Sequence, residues 1–257
     1  MLVVISPAKT LDFDTPPATA EYSLPAFLDA SERLVAVLRT LPTEELSDLM
    51  AISPKLAKLN QERFARWSLP FTPENAKPAV LAFRGDVYEG LAADTFTEAD
   101  FQAAQERLRI LSGLHGLLRP LDLIQPYRLE MGTPLTTDRG ANLYHFWGDR
   151  ITAALNEALE TRGGKTLVNL ASNEYFKAVD PKLLAAEVVT PVFKEYRNGA
   201  FKVVSFFAKK ARGMMSRFAI RHRIDDAREL QAFRDGGYRY SPELSSARQW
   251  VFFREQG

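Results

Sequence analysis

The chain reads as a mixed α/β (α+β) protein, with one mixed β-sheet surrounded by helices, and three observations carry that reading. Short β-rich apolar runs recur from the first residues to the last. Stretches with helical spacing of apolar residues separate them. Near the C-terminal third, Arg197-Asn198-Gly199 joins two β-rich runs, and an Asn-Gly pair so placed is the strongest short-range hairpin signal in the chain. With 257 residues, 46% of them hydrophobic, the chain can bury a full core. No stretch rich in Pro, Gly and Ser divides it and no repeat is visible, so a single domain over residues 1–257 is expected.

Taken in order, Leu2 to Ile5 is an apolar strand followed by Ser6 and Pro7, too short for a secretory signal or a membrane span; a cytoplasmic protein with no membrane partner is expected. Leu24, Phe27, Leu28, Leu34, Val35 and Leu38 recur at helical spacing and predict a helix from about Pro25 to Arg39. Thr43 with Glu44 and Glu45 opens a second helix, and Ser53 followed by Pro54 caps a third that reaches about Trp67. Strands are predicted at residues 79–83, 107–112 and 166–170, with helices around 98–106 and 143–162 between them. Val188 to Tyr196 and Ala200 to Phe207 form the hairpin, a helix leaves it directly, and Trp250 to Phe253 returns to the sheet.

Charge is distributed unevenly. The formal net charge is only +1, yet between Glu195 and Asp225 no acidic residue occurs while Arg197, Lys202, Lys209, Lys210, Arg212, Arg217, Arg221 and Arg223 do. Projected at 100° per residue, 208–223 gathers Ala208, Ala211, Met214, Met215, Phe218 and Ala219 on one side and the cations on the other. An ordinary solvated helix mixes signs so that opposite charges pair at i and i+4, and none do here, which favours a phosphate or other polyanion as partner.

Other chemistries are poorly represented. Zero cysteines exclude disulfides, thiolate metal sites and a cysteine nucleophile. His115, His145 and His222 lie far apart with no i, i+4 pair, so no metal site is indicated. Gly113 and Gly116 lack dinucleotide-fingerprint spacing. Gly164-Lys165-Thr166 matches only the tail of a P-loop and reads better as a helix C-cap, so no nucleotide cofactor is expected. Ser112 sits in no nucleophile elbow.

Several ordered segments are familiar together. They are Ile5-Ser6-Pro7-Ala8-Lys9-Thr10-Leu11-Asp12, Phe83-Arg84-Gly85-Asp86-Val87-Tyr88, residues 111–122 (Leu111-Ser112-Gly113 through Arg119-Pro120-Leu121-Asp122), and Gln125-Pro126-Tyr127-Arg128-Leu129-Glu130-Met131-Gly132. Phe146-Trp147-Gly148-Asp149, Asn169-Leu170-Ala171-Ser172-Asn173-Glu174-Tyr175 and Ala208-Lys209-Lys210-Ala211-Arg212-Gly213 complete the set. In this order and spacing, over residues 1 to about 220, the chain resembles the YaaA family of bacterial peroxide stress resistance proteins. The resemblance implies protection against hydrogen peroxide, a link to low free iron, an unusual fold, and DNA binding through a positively charged cleft and a helix-hairpin-helix element.

Residues 44–66 are where that element is expected, with Lys55 and Lys58 beside the turn and Arg63 and Arg66 further along; a hairpin of this kind aims backbone N–H groups at phosphate. Ala51 and Ser53 stand where such hairpins normally have glycine. The alternative is a plain helical hairpin packing Leu46, Leu49, Met50, Leu56 and Leu59 into the core.

Two function classes follow. In the first, the protein binds DNA, duplex or distorted, through Lys55, Lys58, Lys209, Lys210, Arg212, Arg217, Arg221 and Arg223. In the second, it is an enzyme, a lyase or hydrolase acting on a nucleobase, nucleotide or abasic DNA, with Lys9, Glu130 and Lys209 as catalytic groups in a pocket shared with Ser6, Tyr88, Arg119, Tyr127, Arg128, Asn173 and Glu174. Arg119 and Arg128 would clamp a small planar anion, unless they pair with carboxylates to hold loops. Exposure of Trp67, Trp250 or Phe252 would favour a third reading, a scaffold for other proteins.

Overall fold

The computed structural model describes residues 1–197 and 199–255. The main sheet holds eight strands: β1 (Leu2–Ile5), β2 (Leu108–Ser112), β3 (Gly116–Leu118), β4 (Thr166–Asn169), β5 (Glu187–Arg197), β6 (Ala200–Lys202), β7 (Arg239–Ser241) and β8 (Gln249–Glu255). Around it run α1 (Leu28–Thr40), α2 (Thr43–Met50), α3 (Pro54–Arg66), α4 (Asp86–Leu91), α5 (Glu98–Arg107), α6 (Leu143–Trp147), α7 (Arg150–Thr161), α8 (Asn173–Phe176) and α9 (Ser205–Arg221).

Strand order is β7-β8-β5-β4-β1-β2-β3, with β6 pairing β5. β8, β5, β4, β1 and β2 are mutually parallel, and β3, β6 and β7 are antiparallel additions. β1 lies inside the sheet, with Val3 opposite Leu108 on one side and Val168 on the other. All four of its residues are buried, as a parallel strand covered on both faces requires. Parallel alignment sends the chain out of β1, β2 and β4 at one edge, so the segments after Ile5, Ser112 and Asn169 gather there, the edge where open α/β sheets hold ligands.

The mixed sheet wrapped by helices is as the sequence predicts, and four local expectations change. The apolar run 79–83 is not a strand: Ala79–Ala82 is one buried helical turn, and only Phe83–Arg84 extends, pairing with Thr10–Leu11. A short apolar run fits either conformation when buried, and here the amides of Ala79 and Val80 are taken by Asp122 and Pro120 carbonyls. The predicted helix 143–162 is two, broken at Gly148 with φ of 53°. The second arm of the hairpin ends at Lys202 because α9 begins at Ser205; Asn198 of the predicted turn lies outside the described residues. Leu46 and Met50 are buried and Leu49 packs against the core, but Leu56 and Leu59 are 37% and 41% exposed, against the expectation that they join it.

At the end of α7, Gly163 (φ 62°) donates to Glu160 O and Gly164 to Leu159 O, closing the helix before β4; the glycines are a C-cap. α9 packs on α4 at unusually short range. A Cβ on Gly213 would lie 1.8 Å from Val87 O, and one on Gly90 would lie 2.0 Å from Lys210 O, so only glycine permits this crossing.

Candidate functional site

Ser6, the first residue beyond β1, ties the gathered loops together. Its Oγ accepts from Ser172 N at 2.9 Å and lies 3.3 Å from Ser172 Oγ, while Tyr88 of α4 donates its hydroxyl to Ser6 O at 3.1 Å. Beside it, Tyr127 and Ser112 share a hydroxyl hydrogen bond of 2.6 Å, and Ser112 Oγ accepts from His115 N. Burial raises the pKa of Tyr88, Tyr127 and Tyr175, so these phenols stay neutral and serve as hydrogen-bonding groups.

Outside this buried layer Lys9 Nζ stands 2.9 Å from Glu130 Oε2, and Arg128 donates to Glu130 Oε1 from Nη2 at 2.8 Å and Nε at 3.2 Å. One carboxylate thus bridges two cations and leaves a single positive charge in excess. The Lys9 side chain is 64% exposed, so an amine nucleophile here relies on the neighbouring Arg128 cation rather than on burial. The enclosed space between Pro7, Lys9, Tyr127, Glu130 and Tyr175 is only about 10 Å³, room for at most one water. Glu174 accepts from Gly132 N at 2.9 Å, and Asn173 and Glu174 lie exposed at the start of α8.

A larger cavity of about 480 Å³ opens alongside, lined by Leu11, Phe13, Leu59, Arg63, Arg66 and Trp67. Desolvation, and next the nearby guanidinium of Arg128, lowers the pKa of Arg63. Asp12 on the same side is already engaged: the Thr15 amide, with Arg84 and Lys77, holds its pKa well below the usual carboxylate range.

The nucleic-acid candidates fall into two groups. Lys55 and Lys58 are exposed on α3, whose N-terminus is capped by Ser53 Oγ accepting from Leu56 N at 3.4 Å. Ala51 adopts φ 48° and ψ 53°, so alanine takes the left-handed turn conformation that glycine usually supplies. On α9, Lys209 and Lys210 are exposed with no ionic partner among the described residues, and α4 lies between them and Ser6. Burial lowers the pKa of Arg212. The rest of the cationic run is partly neutralised by acids distant in sequence: Arg217 lies 3.4 Å from Asp235 and Arg223 2.9 Å from Asp100, while Arg221 donates to Thr95.

Arg119 does not join Arg128. It donates to Asp122 from Nε and Nη2 and lies near the opposite edge of the sheet, because β3 runs back antiparallel to β2; the two-arginine clamp is not formed. Ser172 and Tyr175, which complete the Ser6 cluster, lie inside a motif visible in sequence without being singled out. Trp67, Trp250 and Phe252 are all buried, which removes the surface that a scaffold reading needs. No helix among the described residues is long and apolar enough to cross a membrane.

The family profile described as peroxide stress protein YaaA matches residues 1–244. A UPF0246 protein of Cellvibrio japonicus (strain Ueda107) is 59% identical over 256 residues, covering 100% of this chain and 99% of its own. One from Shewanella halifaxensis (strain HAW-EB4) is 57% identical with 99% of each chain covered, and UPF0246 protein azo1887 of Azoarcus sp. (strain BH72) is 55% identical with 100% of each covered. A match of this extent, over all the segments that build the Ser6 cluster and α9, makes the chain a member of the YaaA family of peroxide stress proteins.

Proposed function

We propose that this cytoplasmic protein contributes to peroxide resistance by binding DNA along its phosphate backbone, without strong sequence preference. The observation that supports this most is the meeting of Lys9 and Arg128, from two distant segments, with Glu130 as the carboxylate between them. Exposed Lys55 and Lys58 on α3, and Lys209 and Lys210 on α9, supply further free cations for phosphate. Lysines and arginines of this kind neutralise phosphates and release counterions, which gives affinity without base readout. The link to low free iron that the resemblance implies is read as indirect, since no group of three His, Asp or Glu side chains suited to a metal stands among the described residues.

The test is a titration of duplex DNA binding against salt, in which log affinity falls with a slope of about −0.9 per phosphate neutralised. Replacing Lys55, Lys58, Lys209 and Lys210 by alanine together is expected to flatten that slope and weaken binding to all sequences alike. A salt-independent affinity overturns the proposal.

The buried Ser6–Tyr88 and Ser112–Tyr127 hydrogen bonds at the ligand-bearing edge favour a second reading, an enzyme on abasic DNA that uses Lys9 or Lys209 as an amine nucleophile. Borohydride trapping of an adduct with abasic DNA decides it. The adduct must vanish in Lys9→Ala or Lys209→Ala, and its absence from the unaltered protein overturns this reading.

A further inference from the structure

At the sheet edge opposite Ser6, a cavity of about 470 Å³ lies between the loop before α1, strands β2 and β3, and the C-terminal half of α7. That is within the range of small-molecule sites. One side is apolar, formed by Leu24, Phe27, Leu117, Ala154 and Ala158. The other carries the guanidinium groups of Arg109, Arg119 and Arg162.

Two of these three arginines are engaged. Arg119 holds Asp122, whose oxygens also accept from Ser23 and from the Arg119 amide. Arg162 holds Glu106 and Asp225, although its Nε is buried with no acceptor. Arg109 has no ionic partner among the described residues: its Nη1 donates to the carbonyls of Gln105 and Leu108, at 2.7 and 2.8 Å, and no protein acceptor takes Nε or Nη2. Burial, reinforced by the neighbouring charge of Arg119 and only partly offset by Asp122, which Arg119 already holds, lowers its pKa to about 10. The remaining acid at the cavity, Glu157, is exposed at the rim and repels a long polyanion while leaving space for one small anionic head. A planar fork of free N–H donors at the end of an apolar slot selects a carboxylate or phosphate oxygen pair attached to an apolar group.

We infer that this cavity binds a small molecule with a single carboxylate or phosphate head on an apolar body, the head on Arg109 and the body against Phe27, Leu117 and Ala158. The site is separate from the proposed DNA contacts and does not depend on them.

Isothermal titration of the full-length protein with phenyl phosphate, phenylacetate and inorganic phosphate tests this. Saturable one-site binding is expected for at least one aromatic probe, tighter than for inorganic phosphate, and the stronger of the two identifies the head group. Arg109→Gln is expected to weaken that binding at least tenfold. Ala158→Trp, which fills the apolar half without touching a guanidinium, is expected to do the same and decides the matter if Arg109→Gln does not fold by circular dichroism. Salt-dependent DNA binding is expected to be the same in the Ala158→Trp variant as in the unaltered protein. No saturable binding of either aromatic probe, or binding that survives these substitutions in folded protein, overturns the inference.

Discussion

At the scale of single residues, Glu130 discriminates between the two functional readings. It lies between Lys9 and Arg128 and is only 23% exposed, so it competes with any phosphate for both cations. Glu130→Gln is expected to tighten DNA binding by roughly 2–5-fold at low salt, the equivalent of ~0.5–1 kcal/mol for a partly exposed charge; gel-shift titration reads it. A loss of affinity or of a trapped adduct would instead make the carboxylate part of the chemistry. His115 yields a second expectation. Burial holds its pKa at about 3, its Nδ1 lies 2.9 Å from Ser31 Oγ, and its Nε2 is buried without a hydrogen-bond partner. The unfolded chain protonates this ring below its ordinary value of 6.5, whereas the folded chain does not. Stability is therefore full above pH 6.5 and declines as pH falls toward 3. Thermal melts between pH 7.5 and 4.5 are expected to show this decline, and His115→Gln to lessen its slope. Lys9, Arg128 and Glu130 were legible as a group because they occupy short polar motifs next to glycines and apolar strands. Arg119 was misplaced for a physical reason: its motif ends in Asp122, a buried acid that satisfies it locally, and burial cannot be read from spacing.

At the scale of elements, the crossing of α4 and α9 is the most constrained contact in the molecule. Gly213→Ala gains about 1 kcal/mol of helix propensity, but its methyl would overlap Val87 O and Leu91 N, backbone atoms that cannot rotate away. The overlap wins, and a net loss of ~2 kcal/mol is expected, a fall in Tm of roughly 4–8 °C for a chain of this size. Gly90→Ala, facing Lys210 O, is expected to behave alike in differential scanning calorimetry; an unchanged Tm for both would show that the helices can move apart freely. The periodicity of α9 correctly placed Ala208, Ala211, Met215 and Ala219 inside, yet it missed Gly213, Ser216 and Ile220, which are also buried, and Met214 and Phe218 are only half-buried. A single amphipathic stripe presumes one packing partner, whereas α9 has α4 on one flank and the sheet on another. The same limit explains the run 79–83, whose apolar residues fit a buried helical turn as well as a strand.

At the scale of the whole molecule, the family profile ends at residue 244, before β8. That strand is nevertheless internal to the sheet, paired with β5 from Thr190 to Tyr196 and with β7 on its other side, and it buries Trp250, Val251 and Phe252. Each large side chain contributes ~1.5–3 kcal/mol, a large part of the stability of any domain, so a chain ending at Leu244 is expected to lose its cooperative melt by circular dichroism. A sharp transition within a few degrees of the full chain's would show β8 to be dispensable. The sheet and its wrapping of helices were legible from apolar runs alone, but strand order was not, since it turns on the pairings of β1 with β2 and β4, segments more than a hundred residues away. The place of β1 between β2 and β4 has a consequence during synthesis. Leu2–Ile5 leave the ribosome well before their partners at Leu108–Ile110 and Leu167–Asn169. At ~5–20 residues per second the strand waits roughly 10–30 s before both are made, and throughout that wait it is a natural client for a chaperone.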